Sequence, residues 1–213
     1  MKSVMISIKP KWCELIASGK KTIDVRKTKP KMPKIKPPFK CYIYMTKSNL
    51  TGDRKAYKGR MAGKVIGEFV CDFINEYTAE FVDDDCYEDI RQVFVDDEEE
   101  NEVIITSNED EDPNNCFLCN KSCLTFDEIK KYIGSNFHEK PFYGWHISDL
   151  VFYNEPKEIG EFRKAGALSY DDWLYGIYNG TSESNYEKYL LPFKMTRPPQ
   201  SWCYVEEISN ATF

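Results

Sequence analysis

Gly19-Lys20-Lys21-Thr22-Ile23-Asp24-Val25-Arg26 is the stretch that decides the fold. It follows a short amphipathic segment and alternates polar with apolar residues, the period of a half-buried strand. Thr22, Asp24 and Arg26 fall on one face of that strand, and Ile23 and Val25 on the other. The apolar face anchors the strand in a core. The opposite face gathers a carboxylate and cations, an arrangement suited to a small polar or nucleotide-like ligand.

The surrounding chain supplies the frame. Val4, Ile6 and Ile8 alternate with Ser3, Met5 and Ser7, which predicts a first strand. Lys9-Pro10 then opens a helix, with proline suited to the first turn. Trp12, Leu15 and Ile16 give that helix an apolar face, and Gly19 is placed to end it. The second strand is predicted over residues 22–27. Residues 28–39 hold four prolines and four lysines and predict an extended, exposed, basic loop. A third strand is expected at 41–45, a polar loop with a short helical piece at 48–61, and a strong strand at 64–73.

Downstream, residues 76–115 read as an acidic insertion, with a short helix at 86–94, a minor strand at 103–106 and loop at 108–115. Thr125 and Glu128 form a capping box ahead of the stripe Phe126, Ile129, Tyr132 and Ile133, and Gly134 closes that helix. One long strand is expected over 143–153, connecting chain at 155–162, and helical pieces such as 170–178. Arg197-Pro198-Pro199 turns into a last strand at 201–205. The predicted class is α+β: one small mixed β-barrel with flanking helices. A single domain over 1–213 is expected, with the acidic insertion at about 76–122 and a less regular aromatic one at about 163–196.

Composition bounds the function. The chain has 213 residues and 15% aromatics, enough for a sizeable core. No run of about 18 apolar residues is present, and the first residues lack the long apolar region of a signal peptide, so no membrane role and a cytoplasmic location are expected. The eight cysteines then read as thiols or metal ligands and not as a disulfide framework. The net charge of −6 conceals an asymmetry. Residues 1–64 carry 18 Lys/Arg against 3 Asp/Glu, and residues 65–128 carry 2 against 21. A basic first third attracts phosphates; alternatively, the two segments neutralise each other in the fold.

Ser7-Ile8-Lys9-Pro10-Lys11-Trp12 followed by Gly19-x-Lys21-x-x-Asp24-x-Arg26 resembles the ASCH domain of the PUA-like superfamily. The family pattern is Gly-x-Lys-x-x-Glu-x-Arg, and Asp24 stands in place of its Glu. Lys64-Val65-Ile66-Gly67-Glu68-Phe69 looks like the family's next Gly-rich strand, and 201–205 like its closing strand. The resemblance covers the barrel strands and neither insertion. It implies a β-barrel with a cleft beside the first helix that binds RNA or a modified nucleoside. Some relatives are acetylcytidine amidohydrolases in which the motif lysine works with a Thr and a Glu. Lys21 matches that lysine. Asp24 occupies the place of the nucleophilic Thr, and Thr22 is two residues away along the strand, which favours recognition over hydrolysis.

The expected ligand-binding set is Lys9, Trp12, Lys21, Asp24, Arg26, Trp145 and His146. Lys21 and Arg26 would donate to a phosphate or a base carbonyl, and Asp24 would accept from an exocyclic amine or a ribose hydroxyl. The competing reading is an ordinary Asp24–Arg26 ion pair, worth about 0–1 kcal/mol if exposed. Trp145 and His146 face opposite ways on a strand, so one can stack on a base while the other serves the core. If the protein is an enzyme, an amidohydrolase acting on an acylated nucleoside, Lys21, Asp24 and Glu68 are the catalytic candidates. With His138 and His146 the only histidines, no conventional triad is legible. Cys116-x-x-Cys119-x-x-x-Cys123, with Cys86 or His138 as the fourth ligand, is half of a structural zinc set; free thiols are the alternative. No other cofactor is expected. A third reading is a protein-interaction module that meets a basic partner through the acidic insertion.

Overall fold

The computed structural model describes residues 3–31, 35–47, 60–82, 87–95, 102–106, 114, 116–167, 170–180 and 185–207. Ser3–Ile8 forms β1, with antiparallel β11 (Trp202–Glu207) on one side and parallel β3 (Phe39–Met45) on the other. Both faces of β1 are covered, so the Ser/Met positions of its alternation are shielded as well: Ser3 and Met5 are buried with Val4 and Ile6. Pro10–Ala17 forms α1, and Gly19 leaves it at φ 71°, the left-handed turn glycine accommodates. Ile23–Arg26 is β2.

The chain divides into two compact units. The first comprises residues 1–10, 41–68 and 152–213. Its core gathers Met5, Tyr42, Tyr44, Val65, Phe162, Met195 and Val205, with Tyr42 edge-on to Phe162 at 4.8 Å. The described part of its aromatic segment is ordered, with α4 (Tyr170–Tyr178) and α5 (Tyr186–Leu190) joined by Trp173 against Tyr186 at 4.9 Å.

The second unit comprises residues 11–40 and 69–151. Its sheet has the order β2-β8-β5-β6-β7, built from β2, β5 (Ile74–Val82), β6 (Tyr87–Val95), β7 (Glu102–Thr106) and β8 (Phe142–His146). Ile23, Val25, Tyr77, Ala79, Ile90 and Phe142 point from one face of this sheet into a core with Leu118, Phe126, Ile129 and Phe137. Those last residues come from α2 (Phe117–Ser122), α3 (Phe126–Ile133) and the turn that follows. The capping box at Thr125 and Glu128 forms as expected, and Gly134 ends α3.

The mixed α+β class holds, but the expected barrel does not: among the described residues no sheet closes. The strands make a six-stranded sheet, β10-β11-β1-β3-β4-β9, and the five-stranded one. The six-stranded sheet contains β4 (Val65–Cys71), β9 (Ser148–Lys157) and β10 (Phe162–Lys164). One cause is the segment read as a single strand over 143–153. It breaks at Ile147, with Asp149 at φ 45°, and supplies β8 to one sheet and β9 to the other. Another is the acidic segment. The short helix expected at 86–94 is strand β6, because Ile90 belongs to the sheet's core face and β5 and β7 flank it in antiparallel register. Tertiary pairing here overrides the acidic composition. The loop expected at 48–61 lies largely outside the described residues.

Candidate functional site

Cross-strand partners in an antiparallel pair share a face. In the β2–β8 ladder Asp24 is opposite Trp145, and Arg26 is opposite Tyr143, while Ile23 is opposite His146. Asp24, Arg26, Trp145 and Tyr143 therefore share the sheet face turned away from the core of the second unit. His146 lies on the other face. Its ring stacks on Phe73 at 4.3 Å, and its Nδ1 is 2.6 Å from an Asp72 carboxylate oxygen. Of the Trp145–His146 pair it is thus the tryptophan that shares Asp24's side. Trp145 is fully buried and meets Phe39 edge-on at 5.8 Å.

Lys21, Asp24 and Arg26 form one buried cluster, each side chain under 10% exposed. Arg26 Nε donates to Asp24 Oδ2 at 2.6 Å. Lys21 Nζ donates to the carbonyls of Ile23 and Ser122, both at 2.9 Å, and lies 3.5 Å from Asp24 Oδ1. Three acceptors thus face the three N–H bonds of one ammonium. The indole of Trp12, half-buried on α1, has its ring centre 5.5 Å from Lys21 Nζ. Backbone hydrogen bonds fix the frame: Lys20 and Lys21 donate to the Leu15 carbonyl, Thr22 to Lys121, and Ile147 to Thr22. The site is thus pinned between the end of α1, the end of α2 and β8.

Burial lowers the pKa of Lys21, with Asp24 pulling it back up. Burial pushes the Asp24 carboxyl up, but Arg26 and Lys21 together outweigh it and hold the group below its ordinary value. Asp24 is therefore an ionised acceptor clamped by two cations. A carboxylate with a depressed pKa is a weak general base, so the cluster is better built to hold charge than to move protons.

Lys9, exposed, and Glu68, which accepts a hydrogen bond from the Tyr153 hydroxyl, belong to the first unit. Cys116 and Cys119 are buried, with their sulfurs 2.9 Å apart. Cys116 caps α2 by accepting the Cys119 N–H, and the hydrogen bond with Cys119 lowers its pKa. Cys123 follows in a left-handed conformation at φ 54°. Cys86 lies outside the described residues, and among the described residues no three His, Cys, Asp or Glu side chains are grouped to hold a metal ion.

Two features escaped the sequence. Ser122 enters through its carbonyl, which any residue could supply, so no side-chain signal marks it. Tyr143 is read only as strand, whereas its ring carries Lys29 Nζ at 4.8 Å. The alternation of Lys27, Lys29 and Lys31 was the available signal for a basic wall beside it.

No family model matches the chain, and no curated protein matches it. Solved structures similar to it are of an ASCH protein from Zymomonas mobilis. That protein is 15% identical, over 95% of this chain and 86% of its own, with a TM-score of 0.43. Its serine-to-alanine mutant is 15% identical over 95% and 87%, at a TM-score of 0.47. Its tyrosine-to-phenylalanine mutant is 15% identical over 96% and 90%, at 0.44. Among the described residues, no helix is long and apolar enough to cross a membrane.

Proposed function

We propose that the second unit recognises RNA or a nucleotide-derived ligand at the β2 site, without catalysing hydrolysis. The observation that carries this is the buried Lys21–Asp24–Arg26 cluster, with the Trp12 ring centre 5.5 Å from Lys21 Nζ. Removing three charges from water is costly, and a hydrophobic set of similar volume is often no less stable. Charge clusters with shifted pKa values in such surroundings concentrate at functional sites. Asp24 offers a fixed carboxylate for an exocyclic amine or ribose hydroxyl, and Trp12 an aromatic face for a base once the exposed Lys11, whose Nζ lies 4.2 Å from the ring centre, swings aside. The resemblance of the Gly19–Arg26 stretch to the ASCH motif supports the same ligand class. Asp24, held as an anion where the related hydrolases carry threonine, supports binding over acyl transfer.

Fluorescence titration with cytidine, adenosine, uridine and guanosine and their 5′-monophosphates tests this, with Trp12→Phe identifying the Trp12 contribution. At least one should quench Trp12 saturably, and Trp12→Ala should weaken binding by about tenfold or more, as expected for loss of a stacked base worth roughly 1–3 kcal/mol. Absence of any saturable signal from all eight, and from short oligoribonucleotides, would sink the reading. Release of acetate from acetylcytidine would overturn the non-catalytic part alone.

A further inference from the structure

The residue after Arg26 begins a groove of about 560 Å³ in the second unit. Lys27, Lys29 and Lys31, at alternate positions of a segment without regular structure, line it together with Lys140 and Tyr143. Tyr143 is the cross-strand partner of Arg26, so its side chain shares the sheet face that carries Asp24. Lys27, Lys29, Lys31 and Lys140 are exposed. Lys27 Nζ donates to the Ile133 carbonyl at 3.0 Å, a bond to a neutral group that positions the cation and leaves its charge in place. Lys29 Nζ is 2.7 Å from a Glu76 carboxylate oxygen and sits over the Tyr143 ring. Pro30 and Pro141 stiffen the lining.

We propose that this groove holds the phosphate backbone of a single-stranded RNA. The ligand would then be a strand whose end, or one of whose bases, reaches the Asp24–Trp12 site, and not a free nucleoside. The proposal rests on the nucleotide reading of that site. A row of cations along a channel with an aromatic wall is the usual construction for single strands, where lysines follow the phosphates and a ring face takes a base. An acidic peptide would satisfy the lysines and give Tyr143 nothing to stack.

The test is fluorescence anisotropy with labelled oligocytidylate and oligouridylate of about eight nucleotides, a length within the range one such channel spans, across a salt series. Polyglutamate serves as competitor. Lys27→Gln with Lys140→Gln removes two of the lining cations and leaves the β2 cluster untouched. Wild type should bind at least one strand. The double variant should lose on the order of tenfold at low salt, and its slope of log affinity against log salt should become shallower by about 1.4, two contacts at roughly 0.7 each. Its response to nucleosides at Trp12 should not change. Lys140→Glu alone, monitored by circular dichroism, gives the same readout if the double variant misfolds. Unchanged affinity and slope in a folded variant overturn the groove. So does preference for polyglutamate, which would assign it to an acidic peptide. Nucleoside binding without strand binding overturns the groove and leaves the β2 reading standing. Groove-dependent strand binding with no nucleoside response keeps the groove and removes the β2 site.

Discussion

Asp24 is the residue on which the charge cluster balances. Replacing it with asparagine leaves Lys21 and Arg26 buried without their counter-ion. Loss of one partner from a buried pair typically costs about 3–5 kcal/mol. Denaturant unfolding of Asp24→Asn should show a loss of that size, and a loss below about 1 kcal/mol would mean that the cluster is well hydrated. The same carboxylate sets an acid limit. Its folded pKa is below its ordinary value, so the unfolded chain takes up the proton first as pH falls. The stability it contributes is present above the unfolded pKa, about 3.9, and is lost as pH drops through the lower folded value. Unfolding measured between pH 6 and about pH 2 should therefore show an acid destabilisation that is reduced in Asp24→Asn. Trp12, half-buried on α1, can be truncated at smaller structural cost, which makes it the better probe of ligand contact.

At the scale of elements, one helix start tests local chemistry. Thr125→Ala removes the hydroxyl that accepts the Glu128 N–H and should cost about 1 kcal/mol; Thr125→Ser should cost far less. Gly144 tests the sheet. A Cβ there would lie 2.9 Å from Ile23 Cγ2 and from a Tyr77 ring carbon, so Gly144→Ala should force β2 away from β8. The expected result is a loss of about 1–3 kcal/mol from overpacking, with weakened ligand binding. The elements also show what a sequence can carry. Helix α1 with Gly19, the alternation of β2 and the capping box at Thr125 depend on neighbours within a few residues, and each is legible. Strand β6 is not, because its acidic residues obscure an Ile90 whose core partners are distant in the chain. The break at Ile147 is equally hidden, since apolar residues continue across it while the chain passes from one sheet to the other. For the site, the type and spacing of Lys21, Asp24 and Arg26 were visible. Their mutual burial was not, because it depends on α2 and β8.

For the whole molecule, the acidic segment is part of the second unit's sheet and not an appendage to it. Strands β5, β6 and β7 extend the sheet from β8, and Ala79 and Ile90 face its core. Deleting residues 83–112 should abolish cooperative unfolding of that unit, followed by fluorescence of the buried Trp145. Retention of a sharp transition would show that β6 and β7 are dispensable. An interaction role for this segment is better tested by neutralising its acidic side chains than by excision. The cluster on β2 also has a history within each molecule. The carbonyl that clasps Lys21 comes from Ser122, 101 positions further along the chain, and the partner strand of β2 is later still. A nascent chain that has emerged only as far as the middle of the sequence displays every residue of the Gly19–Arg26 stretch and neither the Ser122 carbonyl nor the β8 ladder that enclose it. Translation must deliver α2 and β8 before those charges can be drawn out of water, and contacts so distant form slowly. The stretch that is read first is therefore among the last to be enclosed, and the proposed ligand capture would report that the chain has emerged past residue 146.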